Sequence, residues 1–215
     1  MRPLCERLAA QAQRRPEALA LQVGEQALSY RELLAAADAQ ASVLQAEGLG
    51  QGSQIGWLGH NSAAMLAGLL ACARLGAVWL PLNWRLVAPE LAAIATHAGL
   101  HTLRHTPELA ELAELAAQVL ALADCPGPAE PALPGDLMLV YTSGTTGEPK
   151  GAMHNQAGLC ANIDIALAVQ GLSEADRVLA VLPLFHVGGL CIQLLPALAA
   201  AGLGGGRGGQ AAGPF

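Results

Sequence analysis

Residues 136–151 read DLMLVYTSGTTGEPKG: an apolar run opens into hydroxyls, glycines and one lysine. Asp136 to Tyr141 follows a proline- and glycine-rich approach, the pattern of a buried strand, and a helical pattern begins near Asn155. The eleven residues from Tyr141 through Gly151 contain four serine or threonine hydroxyls, three glycines and a lysine. Glycines let backbone amides approach an oxyanion closely, hydroxyls add donors, and an ammonium adds a charge-assisted contact, so polyphosphate is the natural ligand. A Walker A loop, GxxxxGK[ST], is excluded, because Lys150 is followed by Gly151 and offers no hydroxyl to a metal from the next position. The alternative is an ordinary surface turn rich in serine, threonine and glycine.

Upstream of this stretch, short apolar runs alternate with longer helical patterns, which reads as α/β. Leu4 to Arg14 reads as a helix, Ala18 to Val23 as a strand entering a turn, and Ser29 to Glu32 as a capping box opening a helix to Glu47. Gln54 to Leu58 and Ala77 to Leu82 read as strands around a helix that Asn61 can cap and that ends at Leu75 and Gly76. That βαβ unit favours parallel pairing. Glu90 to His97 and Glu108 to Ala121 read as helices, and Asp124 to Gly135 as a loop.

The chain has 215 residues, 53% hydrophobic and 13% charged, which excludes a disordered chain and implies a packed interior. At that length about 1.4 domains are expected. Eleven lysines and arginines against 17 acidic residues, net −6, give no basic field for nucleic acid. The five cysteines form no close pair, so reduced thiols in a cytoplasm are expected and a metal site is not. Val178 to Gly206 carries no charge, yet Pro183, His186, Gly188, Gly189 and Pro196 interrupt it, so it reads as a buried core segment rather than a membrane span. His97, His101 and His105 recur every four residues, but Gly99 and Pro107 argue against one helix holding a metal. Trp79 and Trp84 read as core residues, and Arg85 as a partner for an acidic neighbour.

On these motifs the sequence resembles the adenylate-forming (AMP-binding) superfamily. Tyr141 to Gly151 is similar to its phosphate loop, Leu28 to Leu33 to an early helix start, Gly76 to Leu86 to its GAVxxPLNxRL stretch, and Leu182 to Gly189 to its PLFHxxG segment. The PLNWRL and PLFHVGG forms look more like acyl-CoA synthetases than peptide-synthetase adenylation domains. The resemblance implies layered, parallel-rich sheets flanked by helices, an incomplete N-terminal domain of an adenylate-forming ligase. It also implies ATP, Mg²⁺ and CoA, with formation of an acyl-adenylate from a carboxylic acid and transfer to CoA, as in fatty acid metabolism. By that likeness Thr142, Ser143, Gly144, Thr145, Thr146, Gly147 and Lys150 would hold the ATP phosphates. His186, Gly188 and Gly189 would line the acyl pocket; His186 is otherwise a buried histidine bonded to a carbonyl, and the glycines otherwise open a helix.

The resemblance covers residues 28 to 190. It places the family's catalytic lysine beyond this chain, so no catalytic residue is assigned within it. Residues 1–200 are expected to form a partial AMP-binding domain, and 201–215, with seven glycines, a flexible or frameshifted tail. A chain truncated in this way would not turn over alone and would expose core surface, with self-association as the hazard. The competing reading is a non-catalytic module that keeps part of the ligase fold and binds a nucleotide or a partner chain.

Overall fold

In the computed structural model, residues 3–121, 132–142 and 150–200 are described. The segments 122–131 and 201–215 and the loop residues 143–149, which include Ser143, Gly144, Thr145, Thr146 and Gly147, lie outside the described residues.

Two strands whose every residue is buried form the centre: β3 (Gln54–Leu58) and β4 (Val78–Leu82), parallel, with Gln54 opposite Val78 and Leu58 opposite Leu82. The helix that joins them, α3 (Ala63–Leu75), makes them a βαβ unit. Strands covered on both faces need apolar side chains on both, and these have them. Val78, Leu80 and Leu82 pack towards α4 (Ala88–Ala98) and α5 (Ala110–Ala121). Ile55, Trp57 and Trp79 pack towards α1 (Pro3–Arg14), α2 (Tyr30–Ala46), α3, α6 (Gln156–Gln170) and α7 (Leu195–Ala200). The sheet is completed by β5 (Thr102–His105) beside β3, β6 (Asp136–Thr142) beside β4, and β7 (Lys150–Asn155) at the edge, in the order β5-β3-β4-β6-β7. Only β7 runs antiparallel to its neighbour. A separate hairpin, β1 (Leu19–Val23) with β2 (Gln26–Ser29), covers the start of α2. This is the parallel-rich α/β architecture expected from the sequence.

Three local expectations are corrected. The residues after the phosphate loop form β7, which sequence reading left unassigned; KGAMHN lacks the apolar alternation of a half-buried strand because five of its six residues are exposed at the sheet edge. His154 therefore sits on a strand, and Asn155 is the N-cap of α6, its side chain accepting from the Gly158 amide at 2.7 Å. The cap of α3 is Ser62, whose hydroxyl accepts from the Met65 amide at 3.2 Å, and not Asn61. The capping box of α2 forms as read: Glu32 N–H donates to Ser29 Oγ at 3.2 Å, and Ser29 N–H to Glu32 Oε2 at 2.8 Å.

The third correction concerns the uncharged stretch from Val178. Leu179, Val181 and Leu182 are 36%, 54% and 45% exposed, so its first part is a surface segment outside any helix or strand. Burial begins at Leu184 and Phe185 and resumes through a π-helix (Gly188–Leu194) and α7. Among the described residues, no helix is long and apolar enough to cross a membrane. Cys5, Cys72, Cys160 and Cys191 are all buried and form no disulfide among the described residues, and burial pushes the Cys191 thiol up to about 11.

Candidate functional site

The carboxyl ends of β3, β4, β5 and β6 lie along one edge of the sheet, where open α/β sheets form their ligand crevices. At that edge Thr142, the last residue of β6, pairs with Lys150, the first of β7. Directly opposed residues of an antiparallel pair project from the same face, so the hydroxyl and the ammonium flank the loop between them from one side. Both residues are exposed, whereas Leu137 to Val140 behind them are buried. A rigid strand thus presents a polar tip, with Lys150 supplying a mobile point charge.

The opposite face of the hairpin is held by packing. A Cβ on Gly151 would lie 2.8 Å from Leu139 Cδ1 and 3.1 Å from Tyr141 Cζ, so glycine lets the tyrosine ring close over β7. Tyr141 Oη and His97 Nδ1 are 2.7 Å apart, and the rings meet edge to face at 5.7 Å. Burial pushes the Tyr141 phenol up to about 12, which keeps it a neutral hydrogen-bonding group. His97 therefore ties α4 to the base of the loop. Sequence spacing pointed to His97 through its distance from His101 and His105, not through this bond. Those two lie apart from it: His101 Nδ1 accepts from the Gln54 amide at 3.0 Å, and His105 ends β5. Among the described residues no group of three or more histidine, cysteine or acidic side chains could hold a metal ion.

Further along the same edge, His60 follows β3 and Trp84 and Arg85 follow β4. The His60 and Trp84 rings are 4.5 Å apart, and the Arg85 guanidinium lies over the indole at 5.0 Å. Arg85 thus finds an aromatic face where an acidic partner was expected, and Trp84 is only half-buried, unlike Trp79. Glu108 lies 3.1 Å from His60 Nδ1; its own backbone N–H, then His60 and Thr106, hold its carboxyl below the usual carboxylate range. Sequence reading missed Glu108 as a neighbour of this edge, since only the parallel placement of β5 beside β3 brings it there.

His186 is exposed, not a buried core histidine, with its ring 4.5 Å from that of Phe185. Its segment is seated on the end of β3 by Asn61, whose Nδ2 donates to the Leu182 carbonyl at 3.1 Å and whose Oδ1 accepts from the Leu184 amide at 2.9 Å. The two glycines that follow serve close packing. A Cβ on Gly189 would meet the Leu182 and Pro183 carbonyl oxygens at 2.7 Å, and one on Gly188 would meet Leu182 Cδ1 at 3.2 Å. Gly189 starts the buried face of the π-helix, whose carbonyls at Cys191 and Ile192 accept from Asn162 Nδ2 at 2.7 Å and Gln170 Nε2 at 3.1 Å.

A parallel-rich sheet flanked by helices, with a hydroxyl- and glycine-rich sequence joining Thr142 and Lys150 at its carboxyl edge, marks an α/β protein with the ligand crevice of an open sheet. The family of AMP-binding enzymes matches residues 8–204, and the chain belongs to that family. It is 39% identical over 209 residues to an indoleacetate–CoA ligase of Aromatoleum aromaticum, covering 86% of this chain and 41% of that protein. It is 40% identical over 193 residues to a feruloyl-CoA synthase of an Amycolatopsis species, covering 85% and 39%. Its fold matches the inhibitor-bound N-terminal domain of FACL13 from Mycobacterium tuberculosis, with a TM-score of 0.77 at 27% identity, over 93% of this chain and 56% of that one. The chain spans about two-fifths of the length of the curated relatives it matches.

Proposed function

We propose that this chain serves the ATP-dependent activation of an aryl-substituted carboxylic acid, in a cytoplasmic setting, followed by transfer of the acyl group to CoA. The observation that carries the reading is the Thr142 and Lys150 pair flanking a hydroxyl- and glycine-rich loop at the carboxyl edge of the sheet. Thr142, Ser143, Gly144, Thr145, Thr146, Gly147 and Lys150 hold the β- and γ-phosphates of magnesium ATP, whose charge needs several aligned donors. A carboxylate oxygen attacks the α-phosphorus, the bond to the bridging oxygen of the β-phosphate breaks, and pyrophosphate leaves. The CoA thiolate then attacks the acyl carbon and AMP departs. His186 lines the acid end, and Gly188 and Gly189 serve by letting the turn close behind it. The aryl class rests on the two relatives at 39% and 40% identity, which act on indoleacetate and form feruloyl-CoA.

A second reading is a nucleotide-binding module without turnover. The partly exposed apolar side chains of Leu179, Val181 and Leu182 favour it, because an exposed apolar patch suits a partner chain. One experiment separates the two: the chain is mixed with the separately expressed remainder of a similar ligase, ATP, CoA and indole-3-acetate, and AMP is measured. AMP formation above that of either part alone is expected; nucleotide binding without AMP would favour the module.

A further inference from the structure

We infer that Asn61 is the positioning residue of the acid end, holding His186 in place by gripping the backbone two to four residues before it. The inference rests on the reading of His186 as an acid-site residue given above.

The chain from Arg177 to His186 lies outside any helix or strand, so it has no ladder of its own to fix it. Asn61 supplies two bonds of opposite sense across more than 120 residues of sequence: it donates to the Leu182 carbonyl at 3.1 Å and accepts from the Leu184 amide at 2.9 Å. A carboxamide has one donor end and one acceptor end, so only one orientation satisfies both. Close packing seats the same stretch from a second direction. The Leu182 and Pro183 carbonyls approach Gly189 so nearly that a methyl there would lie 2.7 Å from each oxygen. With Leu184 and Phe185 buried and the His186 amide donating to the Pro183 carbonyl at 3.2 Å, the turn leaves His186 facing outward from a fixed base. Asn61 itself follows β3 by three residues, so the base is the same sheet that carries the phosphate hairpin. Its side chain is free for this task because Ser62 caps α3.

The test compares Asn61→Ala, which removes both bonds, and Asn61→Asp, which keeps the acceptor but turns an oxygen towards the Leu182 carbonyl. Ser62→Ala controls for damage to the start of α3. Affinities of the full chain for indole-3-acetate and for ATP are measured by calorimetry, and the His186 ring resonances by NMR without ligand. Both Asn61 variants are expected to shift the His186 signals and to weaken indole-3-acetate binding about tenfold, with ATP affinity within about twofold of wild type, because misplacement by about an ångström suffices for such a loss. Unmoved His186 signals in folded Asn61→Asp, an equal loss of ATP affinity, or an equal His186 shift in Ser62→Ala would each overturn the inference. If Asn61→Ala does not fold, the near-isosteric Asn61→Asp decides. If the wild-type chain binds no indole-3-acetate, the acid-site reading fails by itself, and the His186 signals still decide for or against Asn61.

Discussion

Replacing Thr145 and Thr146 together with valine is expected to abolish measurable ATP binding while leaving the melting temperature within a few degrees of wild type. Valine matches threonine in shape, so the change removes hydroxyl donors and little else. A hydrogen bond to a charged group contributes about 1.5–3 kcal/mol, so losing two weakens binding on the order of a hundredfold to ten-thousandfold. The fold does not depend on these hydroxyls, since the strands that flank the loop are fixed by Leu137 to Val140 and by the His97 and Tyr141 pair. Calorimetric titration with magnesium ATP, alongside a thermal melt, reads both quantities. Retained affinity in the double variant would remove the phosphate role from this loop.

The largest effect on stability is expected from Trp79→Ala. Trp79 is 1% exposed, stacks on Trp57 with ring centroids 5.7 Å apart, and fills the space above Gly68, where a Cβ would lie 2.5 Å from its Cη2. The ring therefore bridges β4 and α3, and deleting it leaves a cavity between sheet and helix layer that neither can close. Such truncations cost about 3–5 kcal/mol, against about 5–15 kcal/mol for the whole fold. The Trp79 N–H is buried without an acceptor among the described residues, so part of that loss is returned and the lower end of the range is expected. Urea unfolding followed by circular dichroism measures it. A change below about 1 kcal/mol would mean that the Trp79 layer is not the core joint described here.

Much of the fold was legible because its signals are local. The Ser29 and Glu32 capping box and the apolar strands at Gln54 to Leu58 and Ala77 to Leu82 each carry their cause within a few residues, and each forms. β7 was not legible, because an edge strand with an exposed face needs no apolar alternation and borrows its order from β6. The same holds at the site. The Thr142 to Lys150 stretch declares itself by composition, but the grip of Asn61 on Leu182 and Leu184 spans more than 120 residues and leaves no trace in spacing. Reading Asn61 as a helix cap was reasonable on sequence, since asparagine caps helices well; Ser62, one residue on, takes that place and frees Asn61 for the contact. Arg85 likewise found an indole rather than a carboxylate, because the stacking depends on where the chain turns after β4.

The central claim is that the Thr142 to Lys150 loop holds the terminal phosphates of ATP. A ³¹P NMR titration of magnesium ATP with the wild-type chain and with the Thr145→Val, Thr146→Val double variant tests it most directly. The wild-type chain is expected to shift and broaden the β and γ resonances more than the α resonance, and the double variant to leave all three unchanged. Equal perturbation by both chains, or none by either, would contradict it.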